Sequence, residues 1–183
     1  MRAAGIAELS TREPGGTPGA EAIRRLLLDG TAETWLPLAE LYLFLAARSD
    51  HVARVIRPAM SAGRWVLCDR FADSTRVYQG LAGGLGLHLV DRLQEPALAG
   101  LVPDLTVLLD LPPETGLRRR RADGGEGRFE AKGSAYHLRI REGFLELARR
   151  EPDRFLVLDA TSAEERLAER IWQEVVARFG LEA

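Results

Sequence analysis

The segment WVLCDR, residues 65–70, joins four apolar residues directly to an aspartate and an arginine. A short apolar run that ends at a polar residue is typical of a strand buried inside a parallel sheet. The same pattern occurs in LTVLLD at residues 105–110 and in FLVLD at residues 155–159, and a weaker version occupies residues 6–10. The chain therefore predicts four strands, three of which end in a carboxylate.

Between these runs, apolar residues recur at spacings of three and four, which is the helical period. The predicted helices are residues 20–28, 38–60, 87–98, 134–150 and 163–179. Strands that alternate with helices predict an α/β fold with a parallel sheet. No repeat or linker interrupts the pattern, so we expect residues 1–183 to form a single domain.

The composition excludes several classes of partner. With 183 residues, 46% of them hydrophobic, the chain is long enough to bury one core. Its 25 basic and 27 acidic residues give a formal net charge of -2, which favours neither nucleic acid nor a membrane surface. The single cysteine, Cys68, excludes an internal disulfide framework and fits a reducing compartment. Because no apolar run suits a membrane span or a signal peptide, we expect a cytoplasmic location and no membrane or nucleic-acid partner.

A glycine-rich turn follows the first predicted strand. In TREPGG, residues 11–16, Arg12 and Glu13 lie on a turn that opens a helix. Such a turn suits an anion, because ligands of parallel sheets bind beyond the carboxyl ends of the strands. The alternative is an ordinary strand-to-helix connection with solvated charges.

Phe44 and Arg48 lie four residues apart in a predicted helix, so their side chains share one face. Together they can stack on a planar base and hydrogen-bond to it. The alternative is that Phe44 belongs to the apolar stripe of Leu41 and Leu45 while Arg48 is solvated.

Asp69 and Arg70 stand at a strand end, where a carboxylate can hold a hydrated Mg²⁺ and an arginine can bind a phosphate. Asp110 ends another strand in the same way, so strand position does not choose between the two aspartates. Either carboxylate can instead serve as a helix cap or loop anchor.

Two polar clusters complete the candidate site. Two hydroxyls, a phenol and an amide on the next helical turn can bind a base and a sugar, or can be ordinary caps and surface groups; they are Ser74, Thr75, Tyr78 and Gln79. Four consecutive arginines, residues 118–121, are followed by three glycines and Arg128. Residues 118–133 are therefore a candidate lid over a polyphosphate, although four arginines also suit a solvated helix face.

In this order, the segments resemble the thymidylate kinase (dTMP kinase) family over nearly the whole chain. TREPGGT at residues 11–17 and DRF at residues 69–71, followed by ST-x-x-YQ at residues 74–79, carry the resemblance. It implies a three-layer doubly wound parallel sheet of the P-loop nucleoside monophosphate kinase type. It also implies a phosphotransferase, usually a homodimer, that uses ATP and Mg²⁺ to convert dTMP to dTDP for dTTP synthesis.

The resemblance also assigns roles. Arg12 and Arg70 would hold the acceptor phosphate, Phe44 would stack on thymine and Arg48 would reach a base oxygen. The expected substrate-binding residues are Arg12, Glu13, Phe44, Arg48, Arg70, Ser74, Thr75, Tyr78 and Gln79. Tyr78 would crowd the sugar 2′ position and so favour deoxyribose. The expected catalytic residues are Asp69, Arg70, Arg119, Arg121 and Arg128, with Asp69 reaching Mg²⁺ through water and no direct metal ligand from the protein.

One family feature has no match in this chain. Family members begin with a strand and a glycine-rich P-loop ending in Gly-Lys-Ser/Thr, whereas here Lys132-Gly133-Ser134 lies in the lid segment without such a loop. We therefore expect a fold that lacks its first strand and ATP cradle and has two exposed strand edges. We also expect the protein to be a kinase recorded from an internal start. The alternatives are a noncatalytic protein that binds thymidine nucleotides or a partner, and a kinase for another pyrimidine monophosphate.

Overall fold

The computed structural model describes residues 5–122 and 127–181, without the side chains of residues 121 and 122. Its strands form two parallel pairs. β1 (Glu8–Arg12) pairs with β2 (Trp65–Asp69), and β3 (Thr106–Asp110) pairs with β4 (Phe155–Asp159). The prediction of an α/β fold with parallel strands is confirmed. Within the described ranges, no ladder joins β2 to β3.

Helices connect and flank the strands. The α-helices are α1 (Pro18–Leu28), α2 (Pro37–His51), α3 (Arg57–Ser61), α4 (Ala72–Thr75), α5 (Leu87–Leu98), α6 (Pro113–Ala122), α7 (Ser134–Arg150) and α8 (Glu164–Phe179). Two π-helical segments, Val52–Ile56 and Arg76–Ala82, continue α2 and α4, and a 3₁₀ turn spans Glu130–Lys132. Most predicted helices match within about two residues; α6 was expected only as part of the lid.

The first strand starts and ends two residues later than predicted. Residues 6–10 were expected, but the ladder with β2 runs to Arg12, which pairs in register with Asp69. The apolar pattern alone missed this, because Thr11 and Arg12 join the strand through backbone hydrogen bonds rather than through apolar side chains. Arg12 is therefore the last residue of β1 and does not belong to the turn after it.

The long helix predicted for residues 38–60 is interrupted. Its middle is the π-helical segment Val52–Ile56, where the Arg57 N–H donates to the carbonyl of Val52, five residues back. Pro58 explains this widening, because proline has no N–H and its ring clashes with the carbonyl one turn earlier. His51, the last residue of α2, therefore lies next to a change in helical pitch.

Two apolar clusters fix the helices that carry the candidate site. One joins Leu41 and Leu45 of α2 to Val90 and Ala97 of α5. The other packs the segment Arg76–Ala82 against α7 and β4, with Val77 and Leu147 fully buried. These contacts hold α2 against α5, and the segment that continues α4 against α7. Phe44 belongs to neither cluster of buried residues.

Candidate active site

The turn after β1 and the end of β2 are held together by the backbone. Beyond the Arg12–Asp69 register pair, the N–H of Glu13 donates to the carbonyl of Asp69 at 2.9 Å. Thr17 then caps α1 by accepting from the N–H of Ala20 at 3.0 Å. The two segments that carry the sequence resemblance, residues 11–17 and 69–79, therefore meet at the carboxyl end of the β1–β2 pair.

Arg12 keeps its side chain at the surface of this turn. Its guanidinium is about half exposed and donates to Glu21, with Nη2–Oε1 at 3.0 Å. The same carboxylate accepts from the backbone N–H of Gly16 at 3.1 Å, and this hydrogen bond, reinforced by Arg12, lowers the pKa of Glu21. Arg12 is thus preorganised in an accessible position that suits an anion.

A buried polar chain crosses from the turn to α4. Arg48 donates from Nε to Oε2 of Glu13 at 2.8 Å and from Nη2 to Oγ1 of Thr75 at 2.9 Å. It also contacts Gln94 at 3.4 Å, and its guanidinium lies 5.3 Å from the ring centroid of Phe71. Arg48 is only 2% exposed, so the alternative of a solvated arginine is wrong.

His51 adds two contacts to this chain that sequence reasoning missed. Its Nδ1 lies 3.0 Å from Oε1 of Glu13, and its Nε2 lies 2.7 Å from Oγ1 of Thr11. The ring is fully buried. Glu13 therefore joins His51 to Arg48, and this structural role was not predicted from the sequence.

Glu40 joins the site to the lid segment and was also missed. One carboxylate oxygen accepts from Nε2 of Gln79 at 2.7 Å, and the other accepts from Arg128. Nζ of Lys132 lies 3.7 Å from the same carboxylate, which is 3% exposed. A buried carboxylate needs such cationic and hydrogen-bonding partners, because an isolated charge is costly to bury.

Arg128, which the resemblance gives as a catalytic residue, is buried in this structure. Its side chain is fully buried, and its Nε donates to the carbonyl of Leu27 at 2.8 Å. Its Nη1 has no hydrogen-bond partner within the described residues. In this structure Arg128 therefore fastens the end of the lid segment to α1 and α2, because the buried carboxylate of Glu40 requires a cation.

Three aromatic rings line the side of the site next to Glu40. The ring centroid of Phe129 lies 6.3 Å from that of Phe44 and 5.9 Å from that of Tyr78. The guanidinium of Arg70 lies 5.1 Å from the Tyr78 centroid. Phe44 is half-buried and faces another aromatic ring, which suits a planar ligand better than a position in the apolar stripe.

Arg70 has an unusual backbone. Its φ of 64° lies in the left-handed region, where a side chain with a Cβ is disfavoured. Such strain clusters at functional sites and costs of order 1–3 kcal/mol. Because the exposed Arg70 follows Asp69 directly, this backbone turns an arginine out of the strand end.

Asp73 anchors the helix that carries the polar cluster. Its two oxygens accept from Arg154 at 2.7 and 2.8 Å, and Thr106 Oγ1 donates to it at 3.1 Å. Thr75 is 1% exposed and Gln79 also 1%, and both are bound as described. Ser74 is half-buried, and its N–H caps the carbonyl of Phe71 at 3.0 Å. The cluster is therefore more than a set of surface groups.

The structure distinguishes the two strand-end aspartates. Nε and Nη2 of Arg141 donate to the two carboxylate oxygens of Asp110, at 2.7 and 2.9 Å. These hydrogen bonds lower the pKa of Asp110. Asp69 is exposed. No group of three or more His, Cys, Asp or Glu side chains suits a metal within residues 5–122 and 127–181. A lone exposed carboxylate fits a hydrated Mg²⁺ held mainly by phosphate oxygens, rather than a cage of protein ligands.

Arg119 and Arg121, the other two predicted lid arginines, belong to α6. Arg119 is exposed on α6, and its Nη1 contacts the carbonyl of Ala160 after β4 at 3.4 Å. Arg121 belongs to α6, but its side chain lies outside the described residues, as do residues 123–126.

None of the helices in the described part of the chain is long and apolar enough to cross a membrane.

Solved structures identify the fold. The chain resembles the crystal structure of thymidylate kinase from Ehrlichia chaffeensis with a TM-score of 0.66 and 31% identity, over 82% of this chain and 73% of that one. This likeness, together with the parallel strands, shows the fold of the P-loop nucleoside monophosphate kinases.

Sequence relatives identify the family within that class. The family model described as "Thymidylate kinase" matches residues 1–171. The thymidylate kinase of Caulobacter vibrioides is 54% identical over 99% of this chain and 87% of its own length. That of Bradyrhizobium diazoefficiens is 47% identical over 98% of this chain and 80% of its own length. The chain belongs to the thymidylate kinase family, and the prediction of a dTMP kinase, a transferase, is confirmed at this level.

Proposed function

We propose that this protein transfers the γ-phosphoryl group of ATP to dTMP, giving dTDP for dTTP synthesis, with Mg²⁺. The observation that carries the proposal is the buried chain from Glu13 through Arg48 to Thr75. It fixes a guanidinium between the turn after β1 and the helix with the polar cluster. A fixed guanidinium can position an acceptor nucleotide, and positioning is a large part of the catalysis of phosphoryl transfer.

The acceptor nucleotide would bind along this chain. Arg12 and Arg70, both at the carboxyl end of the β1–β2 pair, would hold its phosphate. Phe44 would stack on thymine, Arg48 would reach a base oxygen, and Tyr78 would lie against the sugar. The other polar groups of this surface are Glu13, Ser74, Thr75 and Gln79. Their hydrogen bonds preorganise the surface, so less ordering is needed when the nucleotide binds.

The donor side rests on Asp69 and the lid. Asp69 would hold the hydration shell of Mg²⁺, and the ion would supply charge neutralisation on the transferring phosphates. Arg119 and Arg121 would approach those phosphates from α6. Arg128 would contribute by holding the lid against Glu40. A homodimer in the cytoplasm, without nucleic-acid or membrane partners, completes the proposal.

Calorimetric titration with dTMP and with Mg²⁺-ATP, paired with an assay for dTDP, tests the proposal. We expect dTMP to bind, dTDP to form only with ATP and Mg²⁺, and dCMP to bind more weakly. Absence of dTMP binding would contradict the proposal. Binding of dTMP without dTDP formation would instead support the noncatalytic alternative, and an equal response to dCMP would support a broader pyrimidine acceptor.

A further inference from the structure

His51 touches the turn after β1 at several points and has no role in the function proposed above. We propose that His51 is a positioning residue for the acceptor site: it fixes Glu13, and through Glu13 it orients the guanidinium of Arg48. This inference rests on the proposed binding of dTMP beside Arg48. Its structural half, the orientation of Arg48, stands independently of the nucleotide.

The hydrogen bonds of His51 determine which ring nitrogen is the donor and which is the acceptor. A carboxylate only accepts, so Nδ1 of His51 carries the hydrogen that it donates to Oε1 of Glu13 at 3.0 Å. With the hydrogen on Nδ1, Nε2 can accept from the hydroxyl of Thr11 at 2.7 Å. One tautomer thus satisfies both nitrogens of a ring that is fully buried.

The two oxygens of Glu13 then divide between His51 and Arg48. Oε1 faces His51, while Oε2 accepts from Nε of Arg48 at 2.8 Å. With both oxygens held, the carboxylate cannot rotate without losing a buried hydrogen bond, which is costly. The orientation of the Arg48 guanidinium toward Thr75 therefore depends on His51. The histidine acts on Arg48 through the carboxylate of Glu13.

The turn is also shaped around the imidazole ring. A Cβ on Gly16 would lie 2.5 Å from Cδ2 of His51, and Gly16 has a φ of +88°. Thr17 donates a hydrogen bond to Asp50, the residue before His51. The end of α2 thus contacts β1 at Thr11 and the turn after β1 at Glu13 and Thr17.

Substitutions at His51 can distinguish a positioning role from one that only fills space. An apolar side chain of similar size would fill the volume but remove the hydrogen bonds that His51 makes with the hydroxyl of Thr11 and with Oε1 of Glu13. The amide nitrogen of asparagine can take the place of Nδ1, whereas glutamine reaches the place of Nε2. The variants His51→Asn and His51→Gln therefore keep different halves of the contact, and exposed His88 on α5 offers the matched controls His88→Asn and His88→Gln.

Two measurements test the inference on the full chain. The first is the NMR signal of the Arg48 Nε–H, which should be sharp and slowly exchanging in the wild type and in His51→Asn, and lost or shifted in His51→Gln. The second is the dTMP dissociation constant, which should rise about tenfold in His51→Gln, corresponding to about 1.4 kcal/mol, and less than about twofold in His51→Asn. The His88 variants should match the wild type in both.

The outcomes are distinct. Equal behaviour of the two His51 variants would overturn the positioning role, whatever their melting temperatures. If the wild type does not bind dTMP, the proposed function fails, but the Arg48 signal still decides the positioning role. Should the variants not fold, the side-chain ¹⁵N shifts of His51 in the wild type decide: hydrogen on Nδ1 supports the inference, and hydrogen on Nε2 alone contradicts it.

Discussion

Arg12 and Asp69 are partners on the last rung of the ladder between β1 and β2. Arg12 ends β1 and Asp69 ends β2, 57 positions later in the numbering. A parallel pair brings the carboxyl ends of its strands to one edge, so the arginine proposed to bind phosphate and the carboxylate proposed to orient Mg²⁺ can serve the same bound group. The ladder, rather than any side-chain contact, sets this proximity.

Loss of the Arg48 charge should destabilise the protein strongly. Arg48→Met keeps much of the apolar volume but leaves the buried carboxylate of Glu13 without its cation, a change that costs about 3–5 kcal/mol. Urea unfolding measures the difference. Arg149→Met, which breaks an exposed pair with Glu146, should cost less than about 1 kcal/mol. Similar losses for both variants would show that the buried chain is not coupled as described.

Glycine should be tolerated better than alanine at position 70. Both Arg70→Gly and Arg70→Ala remove the guanidinium, but only glycine adopts a φ of 64° without strain. We expect Arg70→Gly to be more stable than Arg70→Ala by about 1 kcal/mol in urea unfolding, while both lose dTMP affinity. The opposite ranking, which is normal in a helix or strand, would mean that residue 70 leaves the left-handed region.

Acid should loosen the turn after β1 through Glu21. Its pKa is lowered in the folded protein by the Gly16 N–H and by Arg12, so its contribution is complete above the ordinary value of 4.5 and is lost as pH falls through the folded pKa. Glu21→Gln should therefore flatten the decline in stability below about pH 4.5. Glu33→Gln, at an exposed position, should leave that decline unchanged. An unaltered acid limb in Glu21→Gln would refute the assignment.

Tyr78 should select against ribose by the bulk of its ring. Tyr78→Ala is expected to admit ribothymidine monophosphate at least about tenfold better relative to dTMP, since an unfavourable steric contact of about 1.4 kcal/mol would be removed. Tyr78→Phe keeps the ring and should keep the preference. Competition binding with the two nucleotides measures the ratio, and an unchanged ratio in Tyr78→Ala would assign selectivity elsewhere.

The sequence predicted which residues form strands and helices better than where a strand ends or where a helix changes type. The three strong strands have apolar runs that end where the ladders end, so periodicity located them. The end of β1 was missed because Thr11 and Arg12 pair through their backbones, and the π-helical segment before Pro58 was missed because the apolar spacing continues across it. Composition and spacing do not contain this information.

The candidate site shows the same division. Phe44 and Arg48 were found because they lie one helical turn apart, and Glu40, Phe44, Arg48 and His51 continue the same face at spacings of three and four. Charged residues on a face next to the apolar stripe were the available signal for Glu40 and His51. The burial of Arg128 could not be predicted, because its partner Glu40 lies 88 residues away in sequence.

Lys132 gives the lid segment a chemical label of its own. It is the only lysine in the chain, and its Nζ lies 5.0 Å from the ring centroid of Phe129 and 4.9 Å from that of Tyr136. Burial lowers the pKa of its ammonium group, which enriches the nucleophilic amine at neutral pH. An amine-selective fluorophore would therefore attach at one side chain, beside the Glu40–Arg128 pair, and its emission would report whether that junction opens when nucleotides bind.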